Sequence, residues 1–158
     1  MNSWKWLVAP LRPPQRSVRP RIPLQAFNKT RNTVLATQLT LADSPKTRER
    51  GLLGRDTLLP GEGLWIVPCQ AIHMFFMRFS IDLVYIDRQK RVCKVRSNVA
   101  PWRISACISA HSVLELPAGT VRETSTQRED VLEISPAPPR PPLPGSGTET
   151  SSQNAGAA

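Results

Sequence analysis

The sequence predicts a compact α+β domain that is mainly β, with mostly antiparallel strands and one or two short helices. Three observations lead there. Six or seven apolar segments of four to nine residues recur between Thr33 and Ile134, rich in Val, Ile and Leu or alternating apolar with polar. Gly, Pro, Asp and Asn punctuate them at the places where strands would turn. Only two short stretches carry helix signals, and no internal repeat is visible.

Taken in order, Thr33-Val-Leu-Ala-Thr-Gln-Leu-Thr-Leu41 alternates as a half-buried strand does. Asp43-Ser44-Pro45 ends it. Ser44 can cap a helix and Pro45 can take its first position, so a short helix is expected over Pro45 to Leu53, stopped by Gly54 and anchored by Leu52 and Leu53. Pro60-Gly-Glu-Gly63 reads as a turn, and Leu64-Trp-Ile-Val67 as a buried strand ended by Pro68, with Trp65 inside the core. Met74 to Met77 is expected as a further strand. Ile81 to Ile86, the turn Asp87-Arg-Gln-Lys90 and Arg91 to Arg96 form a hairpin. Asn98 to Ala110 reads as a loop crossing the core. Ser112 to Leu116 is a strand, Gly119 allows a tight entry to one helical turn at Val121 to Ser125, and Val131 to Ile134 closes the sheet.

Composition separates this core from two tails. Residues 1–31 hold seven basic residues, no acid, and Pro10, Pro13, Pro14, Pro20 and Pro23, which is the make-up of a disordered arm. Residues 136–158 are Pro-rich and then Gly/Ser/Thr-rich, a disordered tail. The globular domain is therefore expected over residues 32–135. The formal charge of +9 belongs mostly to the arm, since thirteen basic and eleven acidic residues remain between the tails. Such an arm suits weak contact with nucleic acid or another anionic surface; a solvated tail is the plainer reading. No stretch approaches the ~20 apolar residues of a membrane-spanning helix. Trp4-Lys-Trp-Leu-Val-Ala9 makes a poor export signal, being too short and basic at the wrong end. Cys69, Cys93 and Cys107 are odd in number and lack metal-site spacing, so free thiols and a reducing compartment are expected.

Gly51-Leu-Leu-Gly-Arg55, the run His73-Met-Phe-Phe-Met-Arg-Phe-Ser-Ile-Asp-Leu-Val-Tyr-Ile-Asp87 and Ser112-Val-Leu-Glu-Leu-Pro-Ala-Gly119 occur in that order. Together they resemble the motifs of the bacterial and archaeal family known as domain of unknown function 192. The resemblance covers roughly Thr33 to Ile134 and implies a partly closed barrel. It implies no reaction, because none is established for the family. Ser80 stands near the place of the family's usual proline in Ile-Pro-Leu-Asp, which puts the loop geometry before Asp82 in doubt. The family arginine after the glycine motif carries over to Arg55, and the family Leu-Glu acid to Glu115; a structural Arg55–Glu115 ion pair is the expectation. Related chains often carry export signals, and the want of one here points to the cytoplasm.

Arg78 and Asp82 lie four residues apart on a strand–turn–strand path, where a guanidinium and a carboxylate can pair and fix the corner, or hold a ligand. Met77 and the aromatics around it offer an apolar wall beside that cation, which suits a small anionic ligand. His73 and His111 are the only imidazoles, each just before or at a strand, and convergence with Asp82 would make an acid–base set. The expectation is a non-enzymatic ligand-binding or accessory domain with a rim site of His73, Met77, Arg78, Asp82 and His111, its partner a small anionic ligand or a protein. A small hydrolase or isomerase using His73 or His111 with Asp82 is the alternative. Nucleic-acid contact through residues 1–31 is a third. No phosphate loop, dinucleotide fingerprint or metal motif is present in the sequence, so no cofactor or metal is called.

Overall fold

The structure, a computed structural model, describes residues 23–138. The expectations for residues 1–22 and 139–158 lie outside them. Nine strands and two short helices follow one another: β1 (Leu24–Asn28), β2 (Thr33–Ala42), α1 (Pro45–Arg50), β3 (Glu62–Ile66), β4 (Ala71–His73), β5 (Ile81–Ile86), β6 (Val92–Val99), β7 (Ile104–Ala106), β8 (Ser112–Pro117), α2 (Thr120–Glu123) and β9 (Leu132–Pro136). Seven strands form one sheet in the order β6-β5-β8-β3-β2-β1-β9, and β4 with β7 forms a separate two-stranded ribbon. All pairings are antiparallel except β2 with β3. The large sheet curls until its two ends touch. Arg91, just ahead of β6, bridges to Val131, just ahead of β9, and Leu132 N–H donates to Lys90 C=O at 2.9 Å. A mainly β, partly closed barrel is thus what the chain forms.

Both faces of the sheet are covered, and residue alternation decides which side chain meets which layer. Leu83, Tyr85, Val113, Leu64 and Ile66 face one apolar cluster together with Leu52, Leu58, Met74 and Met77 from the covering segments. Val84, Ile86, Leu114, Leu116, Ala36 and Leu39 face the other, inside the curl. Gly63 leaves room for that packing: a Cβ there would come within 2.8 Å of Leu39 Cδ1 and 3.0 Å of Leu116 Cδ2.

Several expectations change. The folded chain begins before residue 32, because Leu24–Asn28 inserts between β2 and β9. Asn28 locks that insertion. Its Nδ2 donates to Asp130 Oδ2 at 2.9 Å and Thr126 Oγ1 at 3.1 Å, its Oδ1 accepts from the Thr30 and Arg31 backbone, and it is fully buried. α1 has the Ser44/Thr47 capping box and Pro45 in its first turn, but it stops at Arg50, where Gly51 takes a φ of 48°. Met74 to Met77 is a turn and not a strand; Phe76 has a φ of 63°, which no strand allows. The loop expected over residues 98–110 contains β7, so the strand pairing with its upstream partner is β4, Ala71–His73. Trp65 is half-buried rather than enclosed: its Nε1–H donates to Ser112 Oγ at 3.0 Å and Lys90 Nζ lies 4.4 Å above the ring.

Candidate functional site

Asp82 stands on β5 beside Leu116 of β8, fully buried on the inner face of the curl. A carboxylate there must be compensated, and backbone donors do so. Asp82 Oδ1 accepts from Asn98 N–H at 2.7 Å; Oδ2 accepts from Val121 N–H at 2.8 Å and Gly119 N–H at 3.1 Å. It therefore ties the end of β6 and the start of α2 to β5. Arg78 is not its partner. Arg78 is exposed and pairs with Asp56, so the expected Arg78–Asp82 pair does not form, and Asp82, fully buried, presents no exposed oxygen to a ligand. The reason is local: the turn at Met74–Met77 swings Arg78 outward while β5 carries Asp82 in.

Glu115 receives the opposite treatment. On β8 it lies opposite Leu83 of β5 and Leu64 of β3, so its side chain enters the other apolar cluster. It is 4% exposed, and its Oε2 has no hydrogen-bond partner. Arg55 does not reach it, pairing instead with Glu62 at 3.5 Å, so the expected Arg55–Glu115 ion pair is absent. Burial without compensation pushes the Glu115 pKa up to about 8 from an ordinary 4.5. Burial thus favours the protonated, neutral carboxyl at pH 7, and its Oε2 meets no hydrogen-bond partner among the described residues.

That carboxyl forms part of the floor of a cleft of about 380 Å³. Arg48, Arg50 and Leu52 from α1 and the residues after it line it together with Ile72, Met74 and Met77 from β4 and the turn that follows, and Ile66 of β3. His73 stands at the mouth, exposed, its ring stacked on Phe75 at 5.2 Å between centroids. Arg48 is oriented by donating Nη1–H to Asp43 C=O at 2.8 Å. The Cys69 thiol shares the cleft, and burial raises its pKa. Nearby on the same face, the Tyr85 hydroxyl and Ser105 Oγ are also buried without a partner in hydrogen-bond geometry. Burial raises the Tyr85 pKa, and the proximity of Ser105 only tempers it. A larger depression of about 520 Å³, beside Leu24, Arg55 and Glu62, contains no unpartnered buried polar atom among the described residues.

Of the expected site residues, His73 and Met77 thus line this cleft, while Arg78 and Asp82 do not. His111 borders a different depression, next to Asp87 and Arg88, on the far side of Cys69. The two imidazoles and Asp82 do not assemble into an acid–base set. No group of three or more His, Cys, Asp or Glu is placed to hold a metal among the described residues. Glu115 was noticed in the sequence only as an ion-pair partner. The available signal was its parity: Val113, Glu115 and Pro117 share a face in an otherwise apolar strand.

The family model described as DUF192, Uncharacterized ACR, matches residues 26–134, which include both β1 and the whole curled sheet. The chain belongs to this family. A Thermococcus gammatolerans UPF0127 protein is 30% identical over 112 residues, 67% of this chain and 72% of its own length. A Thermococcus sibiricus UPF0127 protein is 28% identical over 116 residues, 68% of this chain and 72% of its own. Two crystal structures share the fold. One, from Sinorhizobium meliloti 1021, is named as a candidate transcription regulator; it has a TM-score of 0.62 at 23% identity, covering 70% of this chain and 91% of that one. The other, a protein of unknown function from Novosphingobium aromaticivorans, has a TM-score of 0.61 at 19% identity, covering 70% and 83%. The family is uncharacterised, and these likenesses carry the fold alone.

Proposed function

We propose that the domain is a small-molecule binding module whose ligand enters the cleft between α1 and β4. Glu115 carries the reading: an unpartnered, neutral carboxyl at the base of a cleft fits a ligand that supplies the missing hydrogen bond. Leu52, Ile66, Met74 and Met77 offer an apolar lining of an adaptable kind, methionine being unbranched and polarizable. Arg48, Arg50 and His73 line the cleft against a single acid besides Glu115, Glu49, a positive balance that suits an anion better than an amine. The ligand class is therefore a compact apolar body bearing a carboxylate or carbonyl, the anionic ligand anticipated above with its site moved away from Asp82.

The test uses monocarboxylates from butanoate to decanoate as probes at pH 6, followed by methyl NMR of the Met side chains. Met74 and Met77 methyl resonances should shift saturably for at least one chain length, and Glu115→Leu should weaken the effect about tenfold, as loss of one hydrogen bond to a buried partner does. Resonances unmoved across the series, or moved equally in Glu115→Leu, would remove the reading. Three free thiols agree with a reducing, cytoplasmic setting, and the basic residues before β1 with weak contact to anionic surfaces. Among the described residues no helix is long and apolar enough to cross a membrane.

A further inference from the structure

We propose that the outer face of the β4–β7 ribbon, with the aromatic knuckle beside it, is a docking surface for a bilayer bearing anionic headgroups. The inference stands independently of what occupies the cleft.

Alternation in the ribbon turns Ile72 and Ser105 inward and leaves Ala71, His73, Ile104 and Ala106 outward, in cross-strand pairs Ala71/Ala106 and His73/Ile104. Ile104 is 68% exposed. At the His73 end two turns meet, because Trp102 N–H donates to Met74 C=O at 2.9 Å and Met74 N–H to Arg103 C=O at 2.7 Å. These turns present Phe76, 73% exposed, and Trp102, 59% exposed, with ring centroids 5.0 Å apart. Both residues have positive φ, 63° and 64°. Bulky side chains rarely take that conformation, and here it directs two large rings away from the core. Ile108, 89% exposed, lies beyond the other end of the ribbon, where its C=O accepts from Gln70 Nε2 at 2.6 Å. Scattered apolar residues on a surface need no explanation; two exposed aromatics in ring contact, with Ile104 exposed on the adjoining ribbon, do.

Charge selects the occupant. Residues 70–79 and 94–108, which comprise the ribbon, its turns and the neighbouring part of β6, contain Arg78, Lys94, Arg96 and Arg103 and no acid, Asp56 being the acid brought against them. Arg78 is paired with Asp56, and Lys94 Nζ donates to Ala106 C=O at 2.7 Å. Arg96 and Arg103 have no ion-pair partner among the described residues. A second copy would bring cations against cations. A single-stranded nucleic acid needs open ring faces to stack on, but Phe75 lies between His73 and Trp102, and Phe76 meets Trp102 edge to face. Isoleucines add nothing to base stacking. Aromatic and aliphatic tips fringed by arginine match the boundary between acyl chains and anionic headgroups.

The experiment is co-sedimentation of the full chain with vesicles of phosphatidylcholine alone and of phosphatidylcholine with phosphatidylglycerol. Partitioning should require phosphatidylglycerol and fall roughly tenfold in Phe76→Ala/Trp102→Ala and in Arg96→Ala/Arg103→Ala, for loss of two interfacial side chains or two surface charges. All four positions are exposed, so the melting temperatures of the variants should match wild type. Lipids brominated in the acyl chain should quench fluorescence less in Trp102→Phe than in the wild type, which separates insertion of the knuckle from charge contact by the basic residues before β1. Equal partitioning of the aromatic variant, or equal quenching in Trp102→Phe, would overturn the proposal. So would a dimer, or binding of a single-stranded oligonucleotide, that depends on Phe76 and Trp102.

Discussion

Replacing Glu115 by glutamine keeps the shape of the side chain and removes its titration, which makes the pH dependence of stability a direct reading of the cleft floor. In the unfolded chain the carboxyl loses its proton near pH 4.5; in the native state it holds the proton to about pH 8. The unfolded state therefore binds fewer protons across that window, and stability falls as pH rises through it. The contribution is fully present below pH 4.5 and has gone by about pH 8. The whole shift corresponds to about 5 kcal/mol, of which about 2 to 3 kcal/mol is lost between pH 5 and pH 7. Urea unfolding at constant ionic strength, at pH 5, 6 and 7, measures it. Wild type should lose about 2 to 3 kcal/mol more over that range than Glu115→Gln, with equal m-values, since everything else that titrates is common to both proteins. Parallel stability curves would mean that Glu115 is solvated and ionised in the native state, and the argument for a neutral carboxyl would fail.

The remaining predictions concern the frame. Asp82→Ala strands three backbone N–H groups and should cost about 3 to 5 kcal/mol in chemical denaturation, whereas Arg78→Ala, at an exposed pair, should change stability by less than ~0.5 kcal/mol. Burial pushes the Asp130 pKa up, but Asn28, the Gln127 N–H and Arg31 outweigh it and hold it below 3.8, so its stabilisation is lost as pH falls through the native value. Asn28→Ala should accordingly shift acid unfolding, followed by circular dichroism, to higher pH. Gly63→Ala must displace Leu39 and Leu116 and should cost about 1 to 3 kcal/mol, measured the same way.

The strands that could be read from the sequence are those whose apolar or alternating run stands clear between turn residues: β2, β3, β5, β6, β8 and β9. Ser44-Pro45 announced α1 because capping is a local matter between Ser44 and Thr47. β1 was hidden for the reverse reason. Leu24–Asn28 is short and flanked by proline and cations, and the partners that fix Asn28, Asp130 and Thr126, lie about a hundred positions away. The turn at Met74–Met77 escaped because nothing in Met-Phe-Phe-Met demands a positive φ. Arg78 looked like the partner of Asp82 since side chains carry letters and backbone N–H groups do not. His73 stood out as one of two imidazoles and Met77 through the aromatics around it, but Glu115's place in the cleft depended on registering β8 against β3 and β5.

Asp82 and Glu115 stand on neighbouring paired strands, and the fold treats them in opposite ways. Asp82 is repaid by three donors and knits β6 and α2 to the sheet; Glu115 is buried with an oxygen that bonds to nothing. An apolar residue of similar volume at position 115 would serve the core better, because it carries no desolvation cost at any pH. Glu115→Leu should therefore raise stability at pH 8 by a few kcal/mol relative to wild type, while the same replacement at Asp82 lowers it. The stabilised protein should also lose carboxylate binding in the Met74 and Met77 methyl spectra. A Glu115→Leu chain that is less stable than wild type at pH 8 would show that the carboxyl supports the fold, and the cleft would then have no residue set apart for a ligand.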